Sequence, residues 1–309
     1  MYKLELKLVN DPYNNYGILT QNYIEEIEIV GQHFNFSDYN KLYNNCLIDI
    51  SKLIYKGSIQ IRNNILEVTL NPQYIKKMTR NDLQIMQNIG QKINESITYD
   101  NLKYYYSSDL FPLPPTENKT NKKSYPTTNY EFFKYEDFYN FNWVVYYRYI
   151  SDKYKSKFNT DTTEFWLIEQ TLYMFTKLIF ELKMAFNRLR PSQSSFIENI
   201  PIKTYITYSG QTPALPSGHS LQGFLFSALI YYNLKKYFDS LNVIEYEYEL
   251  YLLVRVCKDA GHRRIMAGLH YPSDMLASWV IFGHILKYLK IDDQVRPYYE
   301  MLESELEIR

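Results

Sequence analysis

The chain has few cysteines and no excess of charge of either sign. Cys46 and Cys257 are the only cysteines among 309 residues. A single pair so far apart does not form the disulfide framework of a small secreted protein, so we expect a reducing compartment. Lysine and arginine number 34, as do aspartate and glutamate. This balance argues against a bulk nucleic-acid-binding protein, because such proteins carry a marked basic excess.

Long hydrophobic runs are also missing. No apolar run reaches the roughly 18–20 residues that a helix needs to span a bilayer. The first residues, MYKLELKLVNDPY, contain no apolar stretch typical of a signal peptide. We therefore expect a soluble protein that is cytoplasmic or otherwise intracellular and has no transmembrane segment. Because 46% of the residues are hydrophobic and 22% are charged, the chain can still bury a large core.

The N-terminal part of the chain alternates polar and apolar residues as strands do. KLELKLV and IEEIEIV show this alternation, and SIQIRNNILEVTL predicts a hairpin that turns at Asn63-Asn64. The following NPQYIKKMTRNDLQIMQNIGQKI predicts a helix. We therefore expect an α+β region at 1–106, then a linker and an aromatic segment at 107–160. The aromatic run EFFKYEDFYNFNWVVYYRY in that segment fits either a packing surface or a wall over a pocket.

From residue 161 the apolar residues recur at helical spacing. One apolar seam along a long helix consists of Phe165, Ile168, Leu172, Phe175, Ile179, Leu182 and Phe186. A second apolar face consists of Leu221, Phe224, Leu225, Ala228, Leu229 and Tyr232. EYEYELYLLVRVCKDAG and SDMLASWVIFGHILKYL predict two more helices. Because no strands intervene, residues 161–309 are predicted to form a helical bundle, and the fold as a whole to be mainly α.

Two basic residues lie close to a proline in KMAFNRLRP. Lys183 and Arg190 are seven residues apart, which is close to two helical turns and predicts that both project from the same helix face. Pro191 disfavours helical geometry at Arg190, so the helix is expected to end there. Such a pair suits an anion, because Arg can bind two oxygens while Lys acts as a point charge. A solvated helix surface is the alternative interpretation.

A Pro-Ser-Gly turn opens a helix in ALPSGHSLQGFLFSALIYY. The backbone N–H groups of Ser217, Gly218 and His219 are then expected to point outward without partners, which is the geometry of an anion site. Ser217 can add its hydroxyl. His219 lies where it can exchange a proton with a bound anion or its leaving group. A purely structural histidine at the helix start is the alternative.

A third cluster lies in HRRIMAGLHYPSD. Arg264 and His270 are separated by five residues, and Asp274 follows His270 by four. Pro272 fits the first turn of the next helix, so the His270 ring and the Asp274 carboxylate are expected to be hydrogen-bonded. That bond leaves the other ring nitrogen available for attack or metal binding. The alternatives are a helix N-terminal charge at Asp274 and a packing role for His270.

In this order, Lys-x6-Arg-Pro, Pro-Ser-Gly-His and Arg-x5-His-x3-Asp resemble the motifs of the type 2 phosphatidic acid phosphatase / vanadium-dependent haloperoxidase superfamily. The resemblance covers roughly residues 160–290 and gives no support to the residues before them. It implies a helical bundle of the acid phosphatase/vanadium haloperoxidase type. The family usually has Ser where this chain has Arg263, and the extra cation could alter substrate preference.

The resemblance also implies a role for each motif residue. The residues implied to bind phosphate are Lys183, Arg190, Arg264, Ser217 and Gly218. His270 would be the nucleophile that forms a phosphohistidine, with Asp274 orienting it. His219 would be the general acid that protonates the leaving oxygen. The cations and the helix end would offset charge on the phosphoryl group, and hydrolysis would need no metal or other cofactor.

Within this superfamily the sequence favours a phosphatase that hydrolyses a phosphomonoester or pyrophosphate. The chain is shorter than the haloperoxidases, and it has Thr212 where they carry Phe or His. The alternatives are a vanadium-dependent haloperoxidase, in which His270 would ligate vanadate as a prosthetic group, and a non-catalytic structural protein that retains the fold. In a phosphatase, vanadate would be an inhibitor. The expected partner is a phosphorylated small molecule or a lipid head group, and the oligomeric state stays open.

Overall fold

The fold is known from a computed structural model, which describes residues 39–62, 65–96, 116–117, 123–124, 163–204, 208–289 and 291–305. Most of these residues are helical, as predicted for a mainly α protein. The strand-like segments KLELKLV and IEEIEIV and the aromatic run before residue 150 lie outside the described residues.

The described elements are mostly helices, with four short strands before residue 125. In chain order they are α1 (Tyr39–Leu53), β1 (Ser58–Arg62), β2 (Ile65–Thr69), α2 (Pro72–Ser96), β3 (Thr116–Glu117), β4 (Lys123–Ser124), α3 (Thr163–Phe186), α4 (Pro191–Glu198), a 3-10 turn (Tyr208–Gln211), α5 (Gly218–Asn233), α6 (Lys235–Phe238), α7 (Val243–Met266), α8 (Pro272–Tyr288) and α9 (Asp292–Glu305). The strands form two antiparallel pairs, β1 with β2 and β3 with β4.

The N-terminal region contains the predicted hairpin and one helix that the sequence did not predict. Strands β1 and β2 pair in antiparallel register with Arg62 opposite Ile65, which confirms the hairpin. Helix α2 is confirmed as well. The unpredicted helix is α1, whose buried residues Leu42, Cys46 and Ile50 recur every four residues. Its three Asn residues and one Asp have low helix propensity, which made the helix hard to predict from the sequence.

Helix α5 lies at the centre of the bundle. Helices α3, α7, α8 and α9 all contact it. The sequence predicted one apolar face for α5, but residues outside that face, such as Phe226, Ser227 and Ile230, are buried too. A Cβ on Gly223 would come within 2.9 Å of the Ala260 Cβ, so this glycine permits the close approach of α5 and α7. A helix that is buried on all sides gives its N-terminus a rigid support.

The N-terminal helices pack directly on this bundle. Helix α1 contacts α3 and α8, while α2 contacts α4 and α7. Leu42, Cys46 and Leu83 consequently share one hydrophobic core with the bundle helices. Cys46 and Cys257 are both buried and are not disulfide-bonded. The division into three regions at residues 106 and 160 stays a prediction.

A helix that crosses a bilayer must be both long and apolar. Among the described residues, no helix meets both requirements.

Candidate active site

The first motif lies across the end of a helix rather than along one. Helix α3 ends at Phe186, and Asn187 adopts a left-handed conformation with φ of 42°. Such a residue terminates a helix and reverses the direction of the chain. Arg190 is extended, with φ −68° and ψ 155°, and Pro191 is the first residue of α4. The prediction that Lys183 and Arg190 share one helix face is therefore wrong.

Lys183 and Arg190 nevertheless converge, because both side chains bind the segment just before the second motif. The Lys183 Nζ donates to the carbonyl of Pro213 at 2.5 Å, and the Arg190 Nε donates to the carbonyl of Thr212 at 2.5 Å. A further bond of 3.1 Å joins Arg190 Nη2 to the Thr212 Oγ1. Both cations are buried. Burial and the neighbouring Arg190 charge lower the pKa of Lys183 to about 7.

The third motif begins with a glycine-dependent turn at the end of α7. Gly268 has φ of 72°, which side chains rarely adopt, and a Cβ there would come within 2.4 Å of the Lys203 carbonyl oxygen. The backbone N–H groups of Leu269 and His270 donate to the carbonyl of Arg264 at 3.0 and 3.3 Å. This helix end holds His270 in place before α8 starts.

The first turn of α8 joins His270 to Asp274 as predicted. Pro272 is in the first turn, and the Asp274 Oδ2 accepts a hydrogen bond of 2.9 Å from the backbone N–H of Tyr271. The same oxygen lies 3.1 Å from His270 Nδ1. On the other side of the ring, His270 Nε2 lies 3.0 Å from Arg190 Nη1, which also donates to the Leu269 carbonyl at 2.6 Å. The first and third motifs therefore meet at His270.

The electrostatic surroundings set the protonation of this pair. Burial, together with the charge of Arg190, lowers the pKa of His270 well below 6.5. Burial alone would raise the pKa of Asp274, but the Arg188 charge and the His270 hydrogen bond lower it to about 2. At neutral pH the imidazole is therefore neutral and the carboxylate is ionised. A proton on Nδ1 directed at Asp274 leaves a lone pair on Nε2.

Ser217 makes hydrogen bonds that differ from the predicted ones. Its backbone N–H donates to the carbonyl of Asp274 at 3.3 Å, so the expectation of an unpaired outward N–H at this residue is wrong. Its hydroxyl caps α5 by accepting from the Ser220 N–H and hydroxyl at 3.3 and 2.8 Å. Ser217 therefore fastens the start of α5 to α8. Gly218 and His219 are the first residues of α5, and His219 is only partly buried.

The remaining predicted residues lie near the end of α7. Arg264 is 2% exposed, and its charge contributes to the lowered pKa of Lys183, which places these two cations in one electrostatic cluster. His262 is exposed on α7. The side chain of Arg263 lies outside the described residues.

Sequence reasoning missed Arg188. Its Nη1 donates to Asp274 Oδ1 and to the Ser273 hydroxyl, each at 2.6 Å, and its Nη2 donates to Asp82 Oδ2 at 3.0 Å. The guanidinium carbon lies 3.8 Å from the centroid of the Tyr271 ring. The signal was present as a further arginine in KMAFNRLRP, two residues before Arg190. Its partner Asp82 is 106 residues away along the chain, and no local pattern indicates that pairing.

The described fold is a helical bundle in which basic motifs and a buried His–Asp pair meet. Residues 166–293 match the family model of the PAP2 superfamily, and this segment belongs to that superfamily. The match includes all three motifs but neither α1 nor α2. No curated protein and no solved structure shows significant similarity to the chain. Members of the superfamily usually hydrolyse phosphoesters.

Proposed function

We propose that the protein is a phosphatase that hydrolyses a phosphomonoester or pyrophosphate through a phosphohistidine at His270. One observation carries the proposal. A buried, neutral His270 is hydrogen-bonded through Nδ1 to Asp274 at 3.1 Å, and its Nε2 lies 3.0 Å from Arg190. Arg190 Nη1 now faces the Nε2 lone pair, and a phosphoryl group that drew this guanidinium onto its oxygens would bring phosphorus next to Nε2.

In the first step the lone pair of His270 Nε2 attacks phosphorus. The bond between phosphorus and the leaving oxygen breaks, and its electron pair goes to that oxygen. His219 at the start of α5 donates a proton to the leaving group. The imidazole of His270 becomes positively charged as the bond forms, and the ionised Asp274 stabilises this charge through Nδ1–H.

In the second step water attacks the phosphorus of the phosphohistidine. His219, now neutral, takes a proton from the water. The bond between phosphorus and Nε2 breaks, its electron pair returns to His270, and phosphate is released with His219 protonated again. Both steps reuse the same two histidines, and the balance of protons requires no further protein group.

The buried cations support both steps. Lys183, Arg190 and Arg264 would bind the phosphoryl oxygens, and the backbone of Gly218 would complete the site at the helix N-terminus. Lys183 and Arg190 now donate to carbonyl oxygens of the 212–214 segment. A bound anion would compete for those donors. It would also raise the pKa of Lys183 from about 7, since it offsets the neighbouring positive charge.

The proposed chemistry uses protein groups and water, so no metal or other cofactor takes part in it. The substrate class that fits is a phosphorylated small molecule or a lipid head group. Vanadate would act as an inhibitor by taking the phosphoryl position beside His270. A purified protein should release phosphate from p-nitrophenyl phosphate or pyrophosphate in the presence of EDTA, and vanadate should suppress the release.

The matched variants for this assay are His270→Ala and His262→Ala. His270 is 3% exposed within the motif cluster, whereas His262 is an exposed histidine on α7. We expect His270→Ala to abolish phosphate release and His262→Ala to leave it within about twofold of the wild type. Full activity of a folded His270→Ala protein would overturn the nucleophile assignment.

Two further assays, dye bromination and vanadate binding, separate the alternatives. A haloperoxidase would brominate a dye when vanadate, peroxide and bromide are added, and we expect no bromination at acidic or neutral pH. A structural protein would neither release phosphate nor bind vanadate. Thr212 stands where the haloperoxidases carry Phe or His, and its hydroxyl and carbonyl oxygens both accept hydrogen bonds from Arg190.

A further inference from the structure

A carboxylate from outside the superfamily segment contacts the arginine that binds the His–Asp pair. Asp82 lies on α2, while the match to the superfamily begins only at residue 166. Its side chain is buried, and Oδ2 accepts a hydrogen bond of 3.0 Å from Arg188 Nη2. The Ser273 hydroxyl donates to the same oxygen. Asp82 thus connects the N-terminal region with the first turn of α8.

Arg188 links Asp82 to Asp274. Its two terminal nitrogens are divided between the carboxylates, since Nη2 binds Asp82 and Nη1 binds Asp274 Oδ1 at 2.6 Å. Ser273 closes a ring, because its hydroxyl accepts from Nη1 and donates to Asp82. The Tyr271 ring packs against the guanidinium at 3.8 Å. Arg188 therefore has little freedom to rotate while Asp82 is present.

The orientation of Asp274 depends on both of its oxygens. Oδ1 is held by Arg188, and Oδ2 binds His270 Nδ1 at 3.1 Å. A shift of Arg188 would turn the carboxylate and change the direction of the His270 ring. Removing the outer partner of a metal-bound histidine typically costs about 10–100-fold in activity, and we expect a loss of similar size here.

We propose that Asp82 is a positioning residue that holds His270 in its reactive orientation through Arg188 and Asp274. This proposal rests on the proposed function of His270 as the nucleophile. It assigns a role to the N-terminal region, which lies outside the segment that matches the superfamily. Burial raises the pKa of Asp82, and the Arg188 charge and the Ser273 hydrogen bond act against that rise.

The test compares Asp82→Asn with two control variants. Asp49→Asn makes the same substitution in another contact between the N-terminal region and α8, where Asp49 Oδ2 lies 2.8 Å from His284 Nε2. Leu83→Ala weakens the packing of α2 at the residue next to Asp82, since Leu83 is fully buried. Neither control residue belongs to the proposed site. Each control variant shows how much activity is lost when the N-terminal helices are merely packed less tightly on the bundle.

We expect Asp82→Asn to lower kcat by about 10–100-fold with KM changed less than about threefold, since the cations that bind phosphate are untouched. Asp49→Asn and Leu83→Ala should keep kcat within about threefold of the wild type. Ser273→Ala removes the hydroxyl between Arg188 and Asp82 and should lower kcat in the same way. It replaces Asp82→Asn as the test variant if Asp82→Asn does not fold. A kcat within about twofold of wild type in folded Asp82→Asn, or an equal loss in Leu83→Ala, would overturn the proposal.

A second readout does not depend on turnover. The proton on His270 Nδ1, hydrogen-bonded to Asp274, should give a downfield proton NMR signal that is absent in His270→Ala. Asp82→Asn should shift or broaden this signal, and Asp49→Asn should not. An unchanged signal in Asp82→Asn would contradict the positioning role. If the wild type releases no phosphate, the proposed function fails, whereas the NMR comparison still decides whether Asp82 orients His270.

Discussion

The Arg188 Nη1 lies 2.6 Å from Asp274 Oδ1, the carboxylate oxygen that His270 does not contact. Asp274 is therefore held between a permanent cation and a neutral imidazole. Burial would raise its pKa, but Arg188 and His270 keep that pKa at about 2. At neutral pH the carboxylate is consequently ionised, while the lowered pKa of His270 keeps the imidazole neutral.

Asp274→Asn should lower kcat by about 10³–10⁴-fold, because an amide can favour the wrong tautomer of His270 and does not stabilise a positive imidazole. The measurement is steady-state phosphate release at saturating substrate. Asp49→Asn is the control, since it changes a partly exposed carboxylate that also contacts a histidine, His284. A loss of less than about tenfold in Asp274→Asn would contradict the orienting role.

Oxyanion affinity should fall as the pH rises above about 7, because the pKa of Lys183 is lowered to about 7 and the free protein then loses this positive charge. Tungstate is the suitable probe, since its own charge is constant over this range. Its dissociation constant can be measured calorimetrically on both sides of neutral pH. Lys183→Arg keeps the charge and should remove the decline. A constant affinity in the wild type would contradict the prediction that a cationic Lys183 binds the anion and loses its charge near pH 7.

Arg188→Met should destabilise the fold by about 3–5 kcal/mol, because it leaves two buried carboxylates, Asp82 and Asp274, without their shared cation. Urea unfolding gives the free energy of unfolding. Arg296→Met is the control, since Arg296 pairs with Asp292 at 2.5 Å on an exposed face of α9. That pair should contribute less than about 1 kcal/mol. Equal losses in the two variants would contradict the buried network.

Gly268→Ala should reduce both stability and activity. Its φ of 72° is unfavourable for alanine, and the added Cβ would overlap the Lys203 carbonyl at 2.4 Å. Left-handed strain alone costs about 1–3 kcal/mol, and relief of the overlap would displace His270, two residues on. Gly283→Ala, at a helical position with a nearest contact of 3.3 Å to the Tyr299 hydroxyl, should have a smaller effect. Wild-type stability and activity in Gly268→Ala would show that this turn does not position His270.

Local sequence patterns were sufficient for some of these features. The four-residue spacing of His270 and Asp274, with a proline between them, predicted a contact that the first turn of α8 makes. Alternation around two asparagines predicted the hairpin of β1 and β2. Each of these features depends on residues close together in the chain, where periodicity and turn chemistry carry the information.

Other features depend on tertiary packing. Lys183 and Arg190 were expected on one helix face, but a left-handed residue at Asn187 ends the helix between them. The Ser217 N–H was expected to be unpaired, yet it donates to the carbonyl of Asp274 on another helix. The contact of Asp82 with Arg188 joins two helices far apart in sequence, so it follows only from their packing.

The most direct test of the proposed nucleophile is to trap the phosphohistidine. The protein is mixed with substrate and quenched in base, which preserves phosphohistidine, and the peptide containing AGLHYPSD is analysed by mass spectrometry. We predict a phosphoryl group on His270 in the wild type and none in His270→Ala. Rapid phosphate release with no label on His270, or with the label on a different residue, would contradict a phosphohistidine at this position.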